Sequence, residues 1–363
     1  MKSALRVTAP PPGDRPRAAP RNGKPPMSRR LARLLAHARG HRRALVLTHD
    51  NPDPDALASA VALAYLLEHL AGVHSTVAYG GIVGRAENRA LIRVLRLQVL
   101  PVSRVVFDEH DLVCMVDTQP DQGNHSLPAR VVPDVVIDHH PERPGSRAVP
   151  VADVGGEMGS TSTLLAGYFR ESGLALPAPV ATALYYGIKA DTRDLGRETT
   201  PHDVETYLWL FPMADKEALV QIENPRLPAD HFRLLHSAIE RAQVYGPAVV
   251  CDLGEVYAPD VVAEVAERFL ALDEVKWSLA FGTYEEQLYF SLRVGDRRMN
   301  AGRLIREVIE EKGGSAGGHG SMAGARIPLA GLSPAARLRL LEELVQRFLV
   351  GFGVRARRPH RLV

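Results

Sequence analysis

Three clusters of acids and histidines, each at the end of an apolar run, constrain the fold of this chain more than any other feature. The clusters occupy residues 49–55, 117–118 and 138–140, and the runs before them occupy residues 44–48, 112–116 and 135–137. In an open α/β sheet the carboxyl ends of parallel strands converge on one crevice, where ligands bind. Carboxylates crowd together stably only around positive charge, and oxygen and imidazole donors without thiolates favour Mn²⁺, Mg²⁺ or a similar ion. The sequence therefore predicts an α/β fold with a metal site at one edge of a sheet.

Each cluster also has a plain structural interpretation. Asn51-Pro52 and Asp53-Pro54 are common turn formers, and an aspartate that precedes a helix is a common N-cap. Turns and caps alone would explain a single cluster of this kind. Three of them behind three strand-like runs favour a shared site instead.

The same residues resemble the motifs of a known superfamily, the DHH phosphoesterases. Residues 49–56 are similar to its first motif, Asp117 to the second, Asp138-His139-His140 to the triplet that names it, and Asp191 within residues 187–192 to the fourth. Near the C-terminus, residues 317–325 are similar to the glycine-histidine loop of the associated DHHA1 domain. The resemblance spans about residues 40–330. Its nearest group is the two-domain nanoRNA phosphodiesterases that also act as pAp phosphatases.

The resemblance implies a centre of two divalent cations, with Mn²⁺ expected and Mg²⁺ or Co²⁺ as alternatives. The implied ligands are His49, Asp53 and Asp117 for one ion, and Asp55, Asp117, His139 and Asp191 for the other. Asp117 would bridge the two ions and hold the water between them. Two divalent ions about 3.5–4 Å apart lower the pKa of such a water and clamp a phosphate during in-line displacement. No protein nucleophile is therefore expected.

The resemblance also implies contacts to the substrate. It assigns His140 to the substrate phosphate, a role that suits an imidazole, and Asp138 is expected to orient one of the neighbouring rings. Ser160 and Thr161 open a predicted helix, where free backbone N–H groups and hydroxyls can receive an anion. A simple helix cap is the alternative for these two residues, and both roles can coexist.

A second group of candidate substrate contacts lies toward the C-terminus. Gly317, Gly318 and His319 would bring backbone N–H groups and an imidazole close to a phosphate. Arg293 and Asn300 stand just upstream, within reach of a substrate phosphate or base. We therefore expect this region to form a lid that binds the terminal phosphate and sugar.

Composition is typical of an intracellular enzyme. The chain of 363 residues is 45% hydrophobic and carries a net charge of +2, which favours a small anionic substrate over long nucleic acid. Cys114 and Cys251 lie inside apolar runs and are predicted to be buried thiols in a reducing compartment. No run approaches the roughly 18 apolar residues of a membrane span, and no signal core is evident. A cytoplasmic protein without membrane spans is predicted.

The alternation of apolar strands and amphipathic helices predicts a mostly parallel sheet, followed by a second, smaller α/β domain across a cleft. Residues 1–27 are rich in proline and arginine and are expected to form a disordered basic tail. The DHH-type domain is predicted at residues 28–200, a helical linker at 201–243 and the DHHA1-type domain at 244–355.

These features predict a metal-dependent phosphoesterase that acts on nucleotides such as pAp or on short single-stranded oligonucleotides. This chain has Ala316 where the family pattern has a third glycine, and Ser321-Met322-Ala323-Gly324 where it has Ala-Ala-Gly, so the exact substrate stays open. A single-strand exonuclease on longer DNA is the nearest alternative, although aromatic residues for stacking make up only 6% of the chain. A pyrophosphatase fits the glycine-histidine loop less well, and a non-catalytic nucleotide-binding regulator would be expected to lack some metal ligands. A homodimer stays open.

Overall fold

The protein is described by a computed structural model that covers residues 28–156, 158–296, 299–354 and 358–363. For His319 the backbone is described and the side chain is not. The expected tail, residues 1–27, lies outside the described residues. The described chain folds into two α/β units, each built on one sheet, which confirms the predicted fold class.

The first unit is built on a sheet that is parallel throughout. Its strands are β1 Arg43–Leu47, β2 His74–Tyr79, β3 Val99–Pro101, β4 Leu112–Val116, β5 Val135–Asp138 and β6 Val151–Val154. Its helices are α1 Arg29–Ala38, α2 Pro54–Leu66, α3 Ala86–Leu95, α4 Thr161–Ser172, α5 Ala178–Asp191, α6 Pro201–Leu210 and α7 Lys216–Glu223. The short edge strands β3 and β6 were not predicted from the sequence, because three- and four-residue strands carry little periodicity.

Local sequence signals explain where the elements of the first unit begin. All five residues of β4 are buried, as expected for a strand covered on both faces of a parallel sheet. Helix α2 starts with Pro54 at its first turn, and the Asp53 side chain accepts the Ala56 N–H at 3.0 Å as its N-cap. The cap interpretation of Asp53 is therefore correct, although it leaves the carboxylate next to the end of β1.

The strand order of the first sheet, β3-β2-β1-β4-β5-β6, defines where a ligand can bind. The chain proceeds outward from β1 in one direction and then returns to β4 on the other side of β1. The segments that leave β1 and β4 therefore diverge, and a crevice opens at the carboxyl ends of these two strands.

The two faces of this sheet are covered differently. One face carries a large apolar core that joins the strands to residues of α1 through α7. The opposite face has smaller clusters, covered by connecting segments that contribute Val102, Phe107 and Leu127. Helices α6 and α7, from the predicted linker, belong to the large core through Leu210, Leu219 and Ile222.

The second unit is built on a mixed sheet of order β11-β12-β10-β9-β8-β7-β13, in which only the β8–β9 pair is parallel among the described pairs. Its strands are β7 Gln243–Tyr245, β8 Ala248–Glu255, β9 Trp277–Tyr284, β10 Gln287–Val294, β11 Ser315–His319, β12 Met322–Pro328 and β13 His360–Arg361. Its helices are α8 Ala229–Arg241, α9 Asp260–Phe269, α10 Ala301–Ile309 and α11 Pro334–Gly351. Helices α8 and α9 pack on one face and α10 and α11 on the other, so the last helix of the predicted linker joins the second core.

The glycine-rich segment is not the open loop that the sequence suggested. Strands β11 and β12 pair antiparallel around Gly320-Ser321, and we call this element the glycine hairpin. Gly318 has a φ of 137°, and a Cβ there would lie 2.5 Å from the Cα of Ala323. Only glycine therefore fits at this position, because the two strands approach too closely for a side chain.

Two sequence-level expectations on thiols and membranes can be compared directly with the fold. Cys114 and Cys251 are both buried and unpaired, as predicted. Across the described part of the chain, every helix is too short or too polar to cross a bilayer.

Candidate metal centre and substrate cleft

Six side chains meet at the carboxyl edge of the first sheet, and we call them the metal edge. They are His49, Asp53, Asp55, Asp117, His139 and Asp191. They form two groups: the first consists of His49, Asp53 and Asp117, and the second of Asp55, His139 and Asp191. Within each group, each residue has one candidate ligand atom that lies within 4.8 Å of those of the other two. They lie in the loop after β1, in the first turn of α2, directly after β4 and β5, and at the last residue of α5. The structure thus brings together all six residues expected to bind metal.

Asp117 lies between the two groups. Its Oδ2 is 3.6 Å from His49 Nε2 and its Oδ1 is 3.8 Å from His139 Nε2. The residue is 3% exposed and has a φ of 58°, an unusual backbone conformation for a non-glycine residue. Strain of this kind persists where surrounding contacts hold it, and here the Asp117 N–H donates to the carbonyl of Ile137 at 3.0 Å. One buried carboxylate is thereby presented to imidazoles from both groups.

Asp55 is held by the start of helix α4. The backbone N–H groups of Thr161 and Ser162 each donate to its carboxylate at 2.8 Å, and the residue is 1% exposed. Burial, followed by the charges of three neighbouring carboxylates, raises the pKa of Asp55 well above its ordinary value. Two backbone donors do not offset that repulsion, so the site favours an added positive charge.

Ser160 and Thr161 serve as a helix cap and a carboxylate donor, and their expected contact with a substrate anion stays a prediction. Both residues are fully buried, and Ser160 serves as the N-cap of α4 by accepting the Thr163 N–H. The Thr161 hydroxyl donates to Asp117 at 2.8 Å, while its N–H donates to Asp55. The anion that this helix start receives is therefore the protein's own carboxylate, because Asp55 reaches it first.

His139 and Asp191 supply a direct test of whether a cation fits. His139 Nε2 is buried without a hydrogen-bond partner among the described residues, and it lies 3.3 Å from Asp191 Oδ2. His139 Nδ1 lies 3.3 Å from the carbonyl of Met158; a proton on Nδ1 would leave the Nε2 lone pair directed at the carboxylates. Burial and the charge of Asp53 raise the pKa of Asp191 to about 7. An imidazole nitrogen without a partner amid crowded carboxylates fits a divalent cation.

His140 is oriented by Asp138 at the rim of the same edge. The Asp138 carboxylate accepts both the backbone N–H of His140, at 3.1 Å, and its Nδ1, at 2.8 Å. Burial lowers the pKa of His140, but the hydrogen bond to Asp138 and the negative charges of Asp117, Asp138 and Asp191 together outweigh it and raise the pKa of the imidazole to about 9. The ring is one-third exposed, whereas Asp138 is fully buried. Asp138 therefore orients the His140 ring, and contact of that ring with a substrate phosphate stays a prediction.

The second unit closes over the loop that follows Asp191. Arg197 Nη2 donates to the Asp191 carbonyl at 3.0 Å. Arg193 Nη2 lies 3.3 Å from the sulfur of Met322, the first residue of β12. The first residue of β12 therefore lies against the loop that follows Asp191, and Gly317 and Gly318 lie in the neighbouring strand β11. The side chain of His319 lies outside the described part of the structure.

The two remaining candidate contacts differ in placement. Arg293, in β10, is 7% exposed, and its environment contains Arg85, Arg193 and Arg197 of the first unit. Burial, followed by the nearby charge of Arg85, lowers the pKa of Arg293 to about 10. Asn300, by contrast, is exposed and caps α10 by accepting the Arg303 N–H at 2.9 Å.

Comparison with known proteins decides the family. Residues 43–188 match the model of the DHH family N-terminal domain, and residues 246–350 match that of the DHHA1 domain. A probable manganese-dependent inorganic pyrophosphatase of Lactiplantibacillus plantarum is 30% identical over 241 residues, which cover 62% of this chain and 76% of that protein. The chain belongs to the DHH family. The resemblance seen in the sequence is thereby confirmed at the level of the family, and the two units are its DHH and DHHA1 units.

Two further relatives extend the comparison. An uncharacterised protein of Methanocaldococcus jannaschii is 34% identical over 304 residues, covering 83% of this chain. The chain spans 61% of that protein's length and about half the length of several pyrophosphatases that it matches. The crystal structure of an exopolyphosphatase-related protein from Bacteroides fragilis has a TM-score of 0.67 at 16% identity, covering 89% of this chain and 97% of that one. This likeness shows a shared fold across both units.

Sequence reasoning missed one residue that organises the DHH triplet. The Gln119 side chain is fully buried, and its Nε2 donates to Asp138 at 2.7 Å and to the Pro141 carbonyl at 3.1 Å. Its Oε1 accepts the Arg143 N–H at 2.8 Å and the Ser146 hydroxyl at 2.9 Å. A single glutamine two residues after Asp117 belongs to none of the motifs quoted above, so only the folded loop reveals this role.

Proposed function

We propose that the chain is a divalent-metal-dependent phosphoesterase that hydrolyses phosphate esters of nucleotides such as pAp or of short oligonucleotides. The observation that carries the proposal is the pairing of two carboxylate and imidazole groups around one shared carboxylate, Asp117. Two cations held there would lower the pKa of a water and neutralise the oxygens of a phosphoryl group. Hard oxygen and imidazole donors without thiolates favour Mn²⁺, with Mg²⁺ and Co²⁺ as alternatives.

The protein's own residues have separable tasks in this proposal. Thr161 and the start of α4 fix the Asp117 and Asp55 carboxylates, so that little reorganisation is needed when cations bind. His140, kept protonated and oriented by Asp138, donates to the substrate phosphate. Asp191 is anchored at the end of α5, where Arg197 holds its backbone carbonyl.

The DHHA1 unit supplies the part of the site that favours a nucleotide. The glycine hairpin exposes backbone close to the metal edge, and Arg293 adds a buried guanidinium on the same side of the cleft. A nearly neutral chain favours short substrates, because long nucleic acids require many phosphate contacts. We therefore place mononucleotides and short oligonucleotides ahead of longer strands.

A second candidate function is inorganic pyrophosphate hydrolysis. It is favoured by the matches to proteins described as probable manganese-dependent inorganic pyrophosphatases, which cover 41% to 62% of this chain. Pyrophosphate would use the same metal edge and would need no surface for a base or sugar. A turnover rate that depends on the nucleobase of the substrate would distinguish nucleotide hydrolysis from pyrophosphate hydrolysis.

The test compares purified protein with Mn²⁺ on pAp, pApA, RNA of 2 to 24 nucleotides, single-stranded DNA and pyrophosphate. We expect turnover of pAp or of the shortest oligonucleotides to exceed that of the 24-mer, and chelation to abolish it. Faster turnover of pyrophosphate than of any nucleotide would favour the second candidate. Turnover of none of these substrates, in protein that binds Mn²⁺, would contradict the proposal.

A further inference from the structure

Four guanidinium groups converge where the two units meet beside the metal edge, and we call them the arginine cluster. The cluster consists of Arg85, Arg193, Arg197 and Arg293. Glu267 of α9 pairs with two of them: its Oε1 is 3.2 Å from Arg193 Nη2 and its Oε2 is 3.5 Å from Arg85 Nη2. The nearest carboxylate to Arg197 is Asp191, at 3.6 Å, and that group belongs to the metal edge.

Two buried guanidinium nitrogens of the arginine cluster have no hydrogen-bond partner among the described residues. Glu267 pairs with Arg85 and Arg193, and Asp260 and Glu264 also lie near Arg85. The carboxylate nearest to Arg197, Asp191, belongs to the metal edge. The Arg293 side chain is buried, with only 7% of it exposed. Its Nη1 donates to the carbonyls of Leu292 and Ala323, but its Nε has no hydrogen-bond partner among the described residues. The Nε of Arg197 is likewise buried without a described partner. Buried donors of this kind are costly unless an anion completes them.

Resting on the function proposed above, we infer that the arginine cluster is a subsite for the second, non-reacting phosphate of a nucleoside bisphosphate, with Glu267 occupying part of that subsite until substrate arrives. Arg193 is then a specificity-determining residue. It lies two residues after Asp191, so a phosphate that it binds is adjacent to the phosphate at the metal edge. Planar guanidinium groups match the geometry of phosphate oxygens and bind them in bidentate fashion.

Glu267 is suited to be displaced. The side chains of Arg85, Arg193 and Glu267 are 38%, 46% and 41% exposed, and ion pairs in such positions contribute little free energy. A phosphate carries more charge and more acceptor oxygens than a carboxylate, so it competes effectively for the same donors. The pairing holds the two arginines toward the cleft without preventing substrate from binding.

The experiment measures binding without turnover. Calorimetry in chelator would compare adenosine 3′,5′-bisphosphate with AMP on the full chain and on Arg193→Gln, Glu267→Gln and Arg226→Gln, the last being an exposed loop arginine that serves as the control. We expect the wild-type chain to prefer the bisphosphate by about tenfold or more, because a charge-assisted hydrogen bond has that effect on affinity. Arg193→Gln should remove most of the preference, Glu267→Gln should increase it, and Arg226→Gln should leave it unchanged. Thermal melting of each variant would verify folding.

The outcomes separate this inference from the proposed function. An unchanged preference in folded Arg193→Gln, or a weaker preference in Glu267→Gln, would overturn the inference even if the enzyme hydrolyses pAp. Loss of the preference in Arg193→Gln would support the subsite even if the Mn²⁺-loaded protein shows no turnover. Equal affinity of the wild-type chain for AMP and the bisphosphate would also overturn it.

Discussion

The metal edge of the DHH unit and the facing surface of the DHHA1 unit differ in composition and construction. The metal edge crowds four aspartates and two histidines onto segments that follow parallel strands and one helix. The facing surface uses neighbouring antiparallel strands, with Arg293 in β10 and closely paired glycines in β11. The first surface fits a divalent cation, and the second presents a buried guanidinium with an unpartnered Nε. A phosphate ester with bound metal ions satisfies both surfaces at once, which is why we interpret the cleft as one site.

Asp117→Asn is expected to have the largest effect, because one carboxylate serves both groups of the metal edge. Turnover should fall by about a thousandfold or more, since metal-assisted activation of water depends on both ions. Metal content and rate would be measured together, with exposed Asp108→Asn as the control. Full activity in folded Asp117→Asn would contradict the proposal that hydrolysis takes place at the metal edge while the DHHA1 surface only binds substrate.

Thr161→Val should weaken metal binding by about 10- to 100-fold, the effect typical of removing a hydrogen bond that orients a ligand. The reason is the 2.8 Å bond from its hydroxyl to Asp117. Thr161→Ser retains the hydroxyl and should restore most of the affinity in a Mn²⁺ titration. Equal affinity in the valine and serine variants would show that backbone donors alone hold the carboxylates.

Gly318→Ala should destabilise the glycine hairpin by about 2 kcal/mol or more, because its Cβ would overlap the facing strand. Gly317→Ala is the matched variant, since nothing lies within 4 Å of its Cβ position, and it should change stability by about 0.5 kcal/mol or less. Denaturant unfolding would compare the two. Equal losses would mean that the close approach of β11 and β12 does not determine the hairpin.

Arg293→Gln should produce the smallest of these changes, a rise in KM of about tenfold with metal binding intact, as expected for loss of one charge-assisted contact. Arg293→Lys would test whether charge alone suffices, and exposed Arg339→Gln would control for net charge. Loss of Mn²⁺ affinity in Arg293→Gln would contradict the proposal that Arg293 binds substrate while the metal edge alone binds metal.

Much of the metal edge could be predicted because strand ends converge whatever the details of the loops. The apolar runs before His49 and Asp117 predicted strands that end at one edge of a sheet, and the structure pairs β1 with β4 at the switch in strand order. The ligand roles themselves remain a prediction from the family resemblance. What the motifs supplied was the set of residues, and what the fold added was their distances.

The supporting contacts could not be predicted, because each depends on a partner distant in sequence. The start of α4 was expected to receive a substrate anion, and in the structure it donates to Asp55, which lies more than a hundred residues earlier. Pairing of Arg193 with Glu267 depends on how the two units dock, which periodicity does not encode. Gln119 gives no signal at all until the loop around it is folded.

All six residues of the metal edge precede α6 in the chain, and this order has a consequence for recombination. A crossover in residues 224–228, between α7 and α8, would transmit the complete metal edge with its own apolar core and exchange every strand from β7 onward. The reactive chemistry and the choice of substrate would then be inherited as separate modules. Chimeras joined at this segment should keep Mn²⁺ affinity while acquiring the substrate range of the donor of the second module.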